Sequence, residues 1–169
     1  MAKITTLTAY PHLPYPPVDS SIITRMENEP VLFYGGGFNC FSNMSSYAVE
    51  LDGILFMTSE HAYQYAKFSD PLTKEKIKNA RSGYDAKMVS IEKEASAVSG
   101  WRDIKLGVME RILRAKLSQH PHIKKKLLET GSREIVEASK DDDFWGWGQN
   151  KEGMNHHGKI WMKLRSELM

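Results

Sequence analysis

Proline sets the first limit on what this chain can fold into. Of its 7 prolines, Pro11, Pro14, Pro16, Pro17 and Pro30 fall in the first thirty residues, and only Pro71 and Pro121 follow. Each proline removes a backbone donor and restricts φ, so neither a regular helix nor a central strand runs through that stretch. Residues 1–30 therefore read as an extended arm and residues 31–169 as one domain. A chain of 169 residues can bury a real hydrophobic core without metals or disulfides. Its 41% hydrophobic and 26% charged content excludes a disordered tail, a collagen-like repeat or a disulfide scaffold. No apolar stretch approaches the ~18 residues of a membrane span, and the N-terminus lacks the apolar segment of a secretory signal. The single cysteine, Cys40, leaves no intrachain disulfide, so the expected address is the cytoplasm, with no membrane partner.

Beyond the arm, a small sheet is expected before a series of helices. Val31-Leu32-Phe33-Tyr34 is a short apolar run ending at Gly35-Gly36-Gly37. Tyr47–Leu51 and Ile54–Met57 flank Asp52-Gly53, a turn pair that accepts positive φ at both positions and so predicts a β-hairpin. Thr58 or Ser59 caps a helix carrying Glu60, Tyr63, Gln64 and Lys67. Asp70-Pro71 opens a second helix with Gly83 as its expected stop, and a third is expected over Asp85–Val98, ended by Gly100. Trp101, Ile104, Val108, Ile112 and Ala115 recur every three or four residues and predict a long helix with one apolar face. Pro121 opens another helix that Gly131 ends, and Trp161, Leu164 and Leu168 mark a C-terminal amphipathic helix. The fold class is mainly α, α+β at the margin: a single compact helical domain with one small β-hairpin.

Several motifs invite chemistry they do not support. The triple glycine lacks the Gly-Lys-Ser/Thr of a phosphate loop and reads as a flexible turn. His120 and His122 bracket Pro121, and His156 and His157 are adjacent. Neither pair has helical i, i+4 spacing, and no cysteine cluster completes a ligand set, so no metal is expected. Cys40 has no local histidine base and reads as a buried bystander.

Two segments carry more. On a helix, Glu60, Gln64 and Lys67 share one face, with Tyr63 beside it. Such stripes are usually solvated, but this one follows a buried-looking hairpin, and a pocket wall is an equally good reading. A carboxylate there can stabilise positive charge or move a proton, and a desolvated lysine can attack an aldehyde-level carbon. Downstream, Asp141-Asp142-Asp143-Phe144-Trp145-Gly146-Trp147-Gly148 is followed by Gly153, Asn155 and Gly158. This is either a surface loop with tryptophans folded onto the core or a ligand wall, since glycines admit close backbone approach and aromatic faces stack on heterocycles. A third feature is basic: Arg102, Lys105, Arg111, Arg114, Lys116, Lys124, Lys125 and Lys126 stand against only Asp103 and Glu110 in residues 101–126. A solvated helix face accounts for most of them, while some can attract a phosphorylated ligand.

Phe41-Ser42-Asn43, Ser59-Glu60-His61 with Gln64 and Lys67, Trp101 ahead of the long helix, Asp142 with Trp145-Gly146, and Gly153-x-Asn155-x-x-Gly158 occur in that order. Taken together they are highly specific, and the chain from about Phe33 to Leu168 resembles the NADAR, or YbiA-like, family of N-glycosidases. The resemblance implies hydrolysis of a bond between a ribose C1 and a nitrogen. In bacterial members the implied substrates are phosphorylated riboflavin-pathway intermediates, a ribosylamino-pyrimidine and a ribosylaminopyrimidinone; other members remove ADP-ribose from guanine bases. It implies Glu60, Lys67 and Asp142 as catalytic groups, and Asn43, Gln64, Trp101, Trp145, Gly146 and Asn155 as substrate-binding ones. Related bacterial members commonly carry an acid at the position of Trp147 and a leucine at that of His157.

The implied chemistry is coherent. Departure of the base leaves positive charge at C1, which Glu60 can stabilise, or Glu60 can hold the ribose hydroxyls. Lys67 can capture C1 as a Schiff base, Asp142 can protonate the leaving base or position water, and Trp101 or Trp145 can stack on the heterocycle. No redox cofactor and no metal are required. The expected partner is a small phosphorylated N-riboside. Nucleic acid is the substrate only under the guanine alternative, which the net charge of +2 slightly disfavours. A non-catalytic nucleotide-binding module is the third reading, and retention of both Glu60 and Lys67 argues against it.

Overall fold

The first apolar run forms strand β1 (Val31–Phe33), burying Val31 and Phe33 and exposing Leu32 between them, as strand alternation requires. The structure is a computed structural model and describes residues 29–34 and 36–169. Apart from its last two residues, the expected proline arm lies outside the described residues. After 3-10 turns over Gly36–Phe41, strands β2 (Val49–Leu51) and β3 (Ile54–Phe56) form the expected antiparallel hairpin. Asp52 and Gly53 both take positive φ, 53° and 74°, which matches the backbone twist of the turn to that of the strands.

Helix α1 (Ser59–Ala66) starts where expected, because the Thr58 hydroxyl accepts from the His61 N–H. The His61 ring locks this start: its Nε2 donates to the Ala80 carbonyl, so its Nδ1 accepts from the Thr58 hydroxyl at 2.8 Å. Helix α2 (Pro71–Lys78) is capped by Asp70 and ends at Asn79, four residues before the predicted glycine stop. Gly83 instead opens helix α3 (Gly83–Glu92), which Ser82 caps through the Asp85 N–H. A Cβ on Gly83 would lie 3.0 Å from Met44 Sδ and 3.1 Å from Glu60 Cβ. The glycine is there so that α3 can press its first turn onto α1.

The third helix also stops short of Val98. It ends at Glu92, and a separate 3-10 turn over Glu94–Ser96 redirects the chain so that the Val98 N–H reaches the Lys67 carbonyl at 2.9 Å. Helix α4 (Trp101–Gln119) is the long helix expected, entered through Gly100 at φ 73°. Its buried face shares Trp101 and Ile112 with the predicted one but departs from it elsewhere. Met109, Ile112, Leu113, Lys116 and Leu117 face inward, whereas Ile104 is 48% exposed and Val108 and Ala115 are only partly covered. A buried lysine interrupts the apolar periodicity, so the pattern pointed to a neighbouring face.

Helix α5 (Pro121–Glu129) leads to a strand the sequence analysis did not foresee, β4 (Ile135–Glu137), which pairs in parallel with β1, Val31 opposite Ile135. Helix α6 (His156–Ser166) closes the domain and buries Trp161 and Leu164, with the indole donating to the Phe41 carbonyl at 3.0 Å. The mainly helical reading with a small hairpin holds, with this short parallel pair added. Among the described residues no helix is long and apolar enough to cross a membrane.

Lys116 is fully enclosed. Its Nζ donates to the Ser42 carbonyl and to Ser45 Oγ, each at 2.9 Å, and so pins the loop that carries Asn43. Desolvation pushes its ammonium from an ordinary 10.5 down to about 7. Between those values the unfolded chain holds a proton there that the folded chain has released, so stability rises with pH across that window. Urea unfolding should show the wild type gaining stability from about pH 7 to about pH 9, with the gain reduced in Lys116→Met. Equal pH slopes in both proteins would show that Lys116 titrates normally.

Candidate functional site

Glu60 sits in the first turn of α1, where a carboxylate near free helix N–H groups is favoured. Its backbone N–H donates to the Asn43 carbonyl at 3.1 Å, which ties the helix start to the preceding loop. The side chain is 6% exposed. Gln64 Nε2, one turn along, donates to Glu60 Oε1 at 2.7 Å, and Asn43 Nδ2 approaches Oε2 at 3.5 Å. Burial outweighs these bonds and a more distant attraction from Lys87, and raises the Glu60 carboxyl above its ordinary range.

This carboxyl opens onto a cavity of about 360 Å³, lined by Asn43, Glu60, Tyr63 and Gln64 on one side and by Glu137, Asp142, Trp145 and His157 on the other. Lys87 and the exposed rings of Tyr34 and Tyr84 stand at its edge. Two larger clefts elsewhere, about 640 and 700 Å³, are walled largely by exposed side chains such as Asp143 and Leu72. The smaller cavity is the functional candidate because it gathers buried titratable groups.

The opposite wall is the acidic-aromatic loop. Asp142 Oδ1 accepts from the Trp145 and Phe144 N–H groups at 2.7 and 3.0 Å, a turn that sets the direction of the Trp145 ring. That ring meets the face of Tyr63 edge-on, centroids 5.6 Å apart. Burial, and then the Glu60 charge, push the Tyr63 phenol well above its usual value, so it stays a neutral hydrogen-bonding group. The two segments singled out in the sequence thus face each other across one cavity.

Four of the nine expected site residues do not line it. Lys67 is the C-cap of α1, past the helical stripe, and its Nζ pairs with Glu94 of the 3-10 turn. Trp101 packs behind Tyr63, centroids 5.2 Å apart, and is 9% exposed. Gly146 is a contact glycine: a Cβ there would lie 2.7 Å from the Glu137 carbonyl. Asn155 clamps the free edge of β4, accepting from the Glu137 N–H at 3.1 Å and donating to the Ile135 carbonyl at 2.9 Å. Its clamp, with the His157 N–H bonded to the Trp145 carbonyl, fixes the loop wall to the sheet. Lys116, grouped by sequence with a solvated basic face, is buried, whereas Arg111 pairs with Asp52 and Arg114 with Glu110 and Glu167 at the surface.

Glu137 and His157 were missed as site residues. His157 stands out in the sequence as a metal-ligand candidate and as a departure from the leucine of related members, and Glu137 lies on a strand without a sequence signal. Among the described residues no group of three or more His, Cys, Asp or Glu side chains is arranged to hold a metal ion.

The profile of the NADAR domain matches residues 32–169. The chain belongs to the NADAR family. N-glycosidase YbiA of Escherichia coli strain K12 is 32% identical over 145 residues, covering 85% of this chain and 91% of that protein. The chloroplastic riboflavin biosynthesis protein PYRR of Zea mays is 33% identical over 147 residues, 78% of this chain but 24% of that longer protein. A riboflavin biosynthesis protein of Vibrio vulnificus is 34% identical over 147 residues, 86% of this chain and 40% of that one. The solved NMR structure of E. coli YbiA superposes with a TM-score of 0.76 at 31% identity, covering 85% of this chain and 89% of that one. The NADAR fold therefore supplies the cavity, and the sign of the Glu60 shift supplies a test of its electrostatics.

A carboxyl whose folded value is raised contributes stability below its unfolded value of 4.5 and loses it as pH rises through the folded value. At neutral pH Glu60 is therefore a cost to the fold. Glu60→Gln should melt at a higher temperature than wild type near pH 8, with the gain shrinking toward pH 4. A variant less stable at pH 8 than at pH 4, each relative to wild type, would show that the carboxylate is stabilised rather than strained.

Proposed function

We propose that this NADAR protein is an N-glycosidase, a hydrolase of the bond between ribose C1 and nitrogen in phosphorylated riboflavin-biosynthesis intermediates. The observation that carries the reading is the cavity in which a protonation-prone Glu60 faces Asp142 and the Trp145 ring. The names of its relatives, an N-glycosidase and riboflavin biosynthesis proteins, support the reaction and the substrate class. The cavity volume of about 360 Å³ suits one riboside rather than a polymer.

Two carboxyls in unlike surroundings divide acid and base work. Glu60, whose proton burial makes harder to lose, gives that proton to the leaving nitrogen as the C1–N bond electrons move there. The resulting carboxylate lies beside the positive charge at C1, where it is most stabilising. Asp142, half-buried, takes a proton from the water that adds to C1. The net change is one water consumed, with the free base and the sugar phosphate released, and proton exchange with solvent returns Asp142 to a carboxylate and Glu60 to its acid form. Trp145 offers a face for the heterocycle, Lys87 is the cation at the rim suited to a phosphate, and Asn43 and Gln64 hold Glu60 in place. Trp101, Gly146 and Asn155 serve binding indirectly, through Tyr63 and the loop wall.

Lys67 acts either as a nucleophile that leaves Glu94 and loses its proton, or as a fixed charge behind the cavity wall. The ion pair with Glu94 supports the second role.

Purified protein incubated with a ribosylamino-pyrimidine phosphate should release free base, read by chromatography. Glu60→Gln should lose about a hundredfold or more in turnover while remaining folded. Wild-type turnover should fall on the alkaline side as Glu60 ionises. Lys67→Arg cannot form an imine, and it should keep activity within about threefold, ~0.7 kcal/mol of barrier. A loss in that variant as large as that of Glu60→Gln would restore the Schiff-base route. Release of ADP-ribose from modified oligonucleotide, with none from the riboside, would move the substrate to nucleic acid.

A further inference from the structure

Three buried polar atoms around the cavity have no partner in the protein: Asn43 Oδ1, Gln64 Oε1 and His157 Nε2. Their side chains are 7%, 6% and 1% exposed, and all three line the cavity. Buried polar atoms without partners are rare in folded proteins, because each forfeits its hydrogen bonds to water. Three around one cavity mark a place where a ligand supplies what the protein withholds.

The chemistry of these atoms follows from what their other ends bind. The Glu60 carboxyl occupies the amide N–H groups of both Gln64 and Asn43, and Asn43 Nδ2 also approaches Met109 Sδ at 3.2 Å. That arrangement leaves the two carbonyl oxygens unpaired, and a carbonyl oxygen only accepts. His157 Nδ1 lies 3.2 Å from Glu137 Oε2, and a carboxylate oxygen accepts, so the ring proton is on Nδ1. In the neutral imidazole Nε2 is then an acceptor as well. The ring is fixed edge-on against Phe33, centroids 4.9 Å apart, so it cannot turn away without breaking the Glu137 bond. Three acceptors on lining residues from three different elements are therefore left without a partner in the protein.

We infer that this acceptor set reads the neighbouring hydroxyls of an unmodified ribose, with His157 as a specificity-determining residue that favours ribosides over deoxyribosides. The inference rests on the N-riboside reading above and extends it to the sugar. A ribose presents adjacent O–H donors, whereas a 2-deoxy or 2-O-methyl sugar lacks one and leaves an acceptor buried and unpaired. Sites built to bond a hydroxyl reject analogues without it far more strongly than apolar pockets reject an extra group. The Trp145 ring, which takes the base, also stands near His157, centroids 6.4 Å apart, so the leaving base is held constant in the test.

The test compares ribo, 2-deoxyribo and 3-deoxyribo forms of one N-riboside phosphate, with the same leaving base, in wild type, His157→Leu and His157→Gln. Wild type should prefer the riboside by about a hundredfold or more in kcat/KM. His157→Leu, which keeps bulk and removes Nε2, should cut that preference by about tenfold, through KM and through the riboside rather than the deoxy substrate. His157→Gln, which restores an acceptor, should recover part of it. A merely structural role would lower both substrates together and would lower the melting temperature, and that result overturns the inference. So does a wild type that turns over riboside and deoxyriboside alike. If no riboside is cleaved, the glycosidase reading itself fails. Calorimetric titration with ribose 5-phosphate and 2-deoxyribose 5-phosphate then decides the sugar preference independently of turnover, equal affinities overturning it.

Discussion

A carboxyl group buried at the first turn of a helix is the constraint around which this domain is arranged. Glu60 could not be enclosed without amide donors to meet its oxygens, and these come from two directions: Gln64 within its own helix and Asn43 from the loop before the hairpin. Holding Asn43 there requires the loop to be anchored, which the buried Lys116 achieves from the far side of the core. Gly83 lets α3 close over the start of this helix, since a Cβ there would press on Met44 and Glu60 at 3.0 and 3.1 Å. The remaining electrostatic imbalance shows as the raised affinity of Glu60 for a proton. A cost of this kind is typical of groups retained for chemistry rather than for stability.

The opposite wall is organised by backbone hydrogen bonding. The parallel pair β1–β4 is only three residues per strand, too short to be stable alone. Asn155 extends its edge with a side-chain amide that mimics a neighbouring strand, and Gly146 lets the loop lie directly on it. With the loop fixed at both ends, Asp142 can orient Trp145, and His157 reaches Glu137 at the start of α6. Residues that never touch the cavity thus control the ones that do. Gly146 and Asn155 have this supporting role, while Trp145, Glu60 and Asp142 line the cavity.

The polar stripe of α1 shows how a partner outside a helix can divide the residues of one face. Glu60, Tyr63 and Gln64 lie within the helix and face the cavity, but the helix ends at Ala66. Lys67 falls at its C-cap, where the chain bends toward the Glu94 turn, and its ammonium is taken up by that carboxylate. Lys67 keeps helical backbone angles, φ −72° and ψ −17°, so it is the Glu94 carboxylate, not a change of helical register, that holds its ammonium away from the stripe.

Local physics was legible in the sequence wherever a short-range rule decided the outcome. Asp-Gly dictated the hairpin turn, Thr58 and Asp70 the helix starts, and Pro121 with Gly131 the bounds of a helix. The motif order also announced that residues near 43, 60 and 142–145 belong together. Long-range decisions were not legible. Nothing in Ile135–Glu137 says that it pairs with a strand a hundred residues earlier, because three-residue strands leave no periodic signal. The inward face of α4 could not be read once a lysine took a core position, and Gly83 reads alike as a stop or a contact. Above all, nothing in the sequence brings His157 and Glu137 to the same cavity as Glu60. Only tertiary packing, by excluding water and bringing several elements to one cavity, decided which carboxyl is raised in proton affinity and which buried acceptors have no partner in the protein.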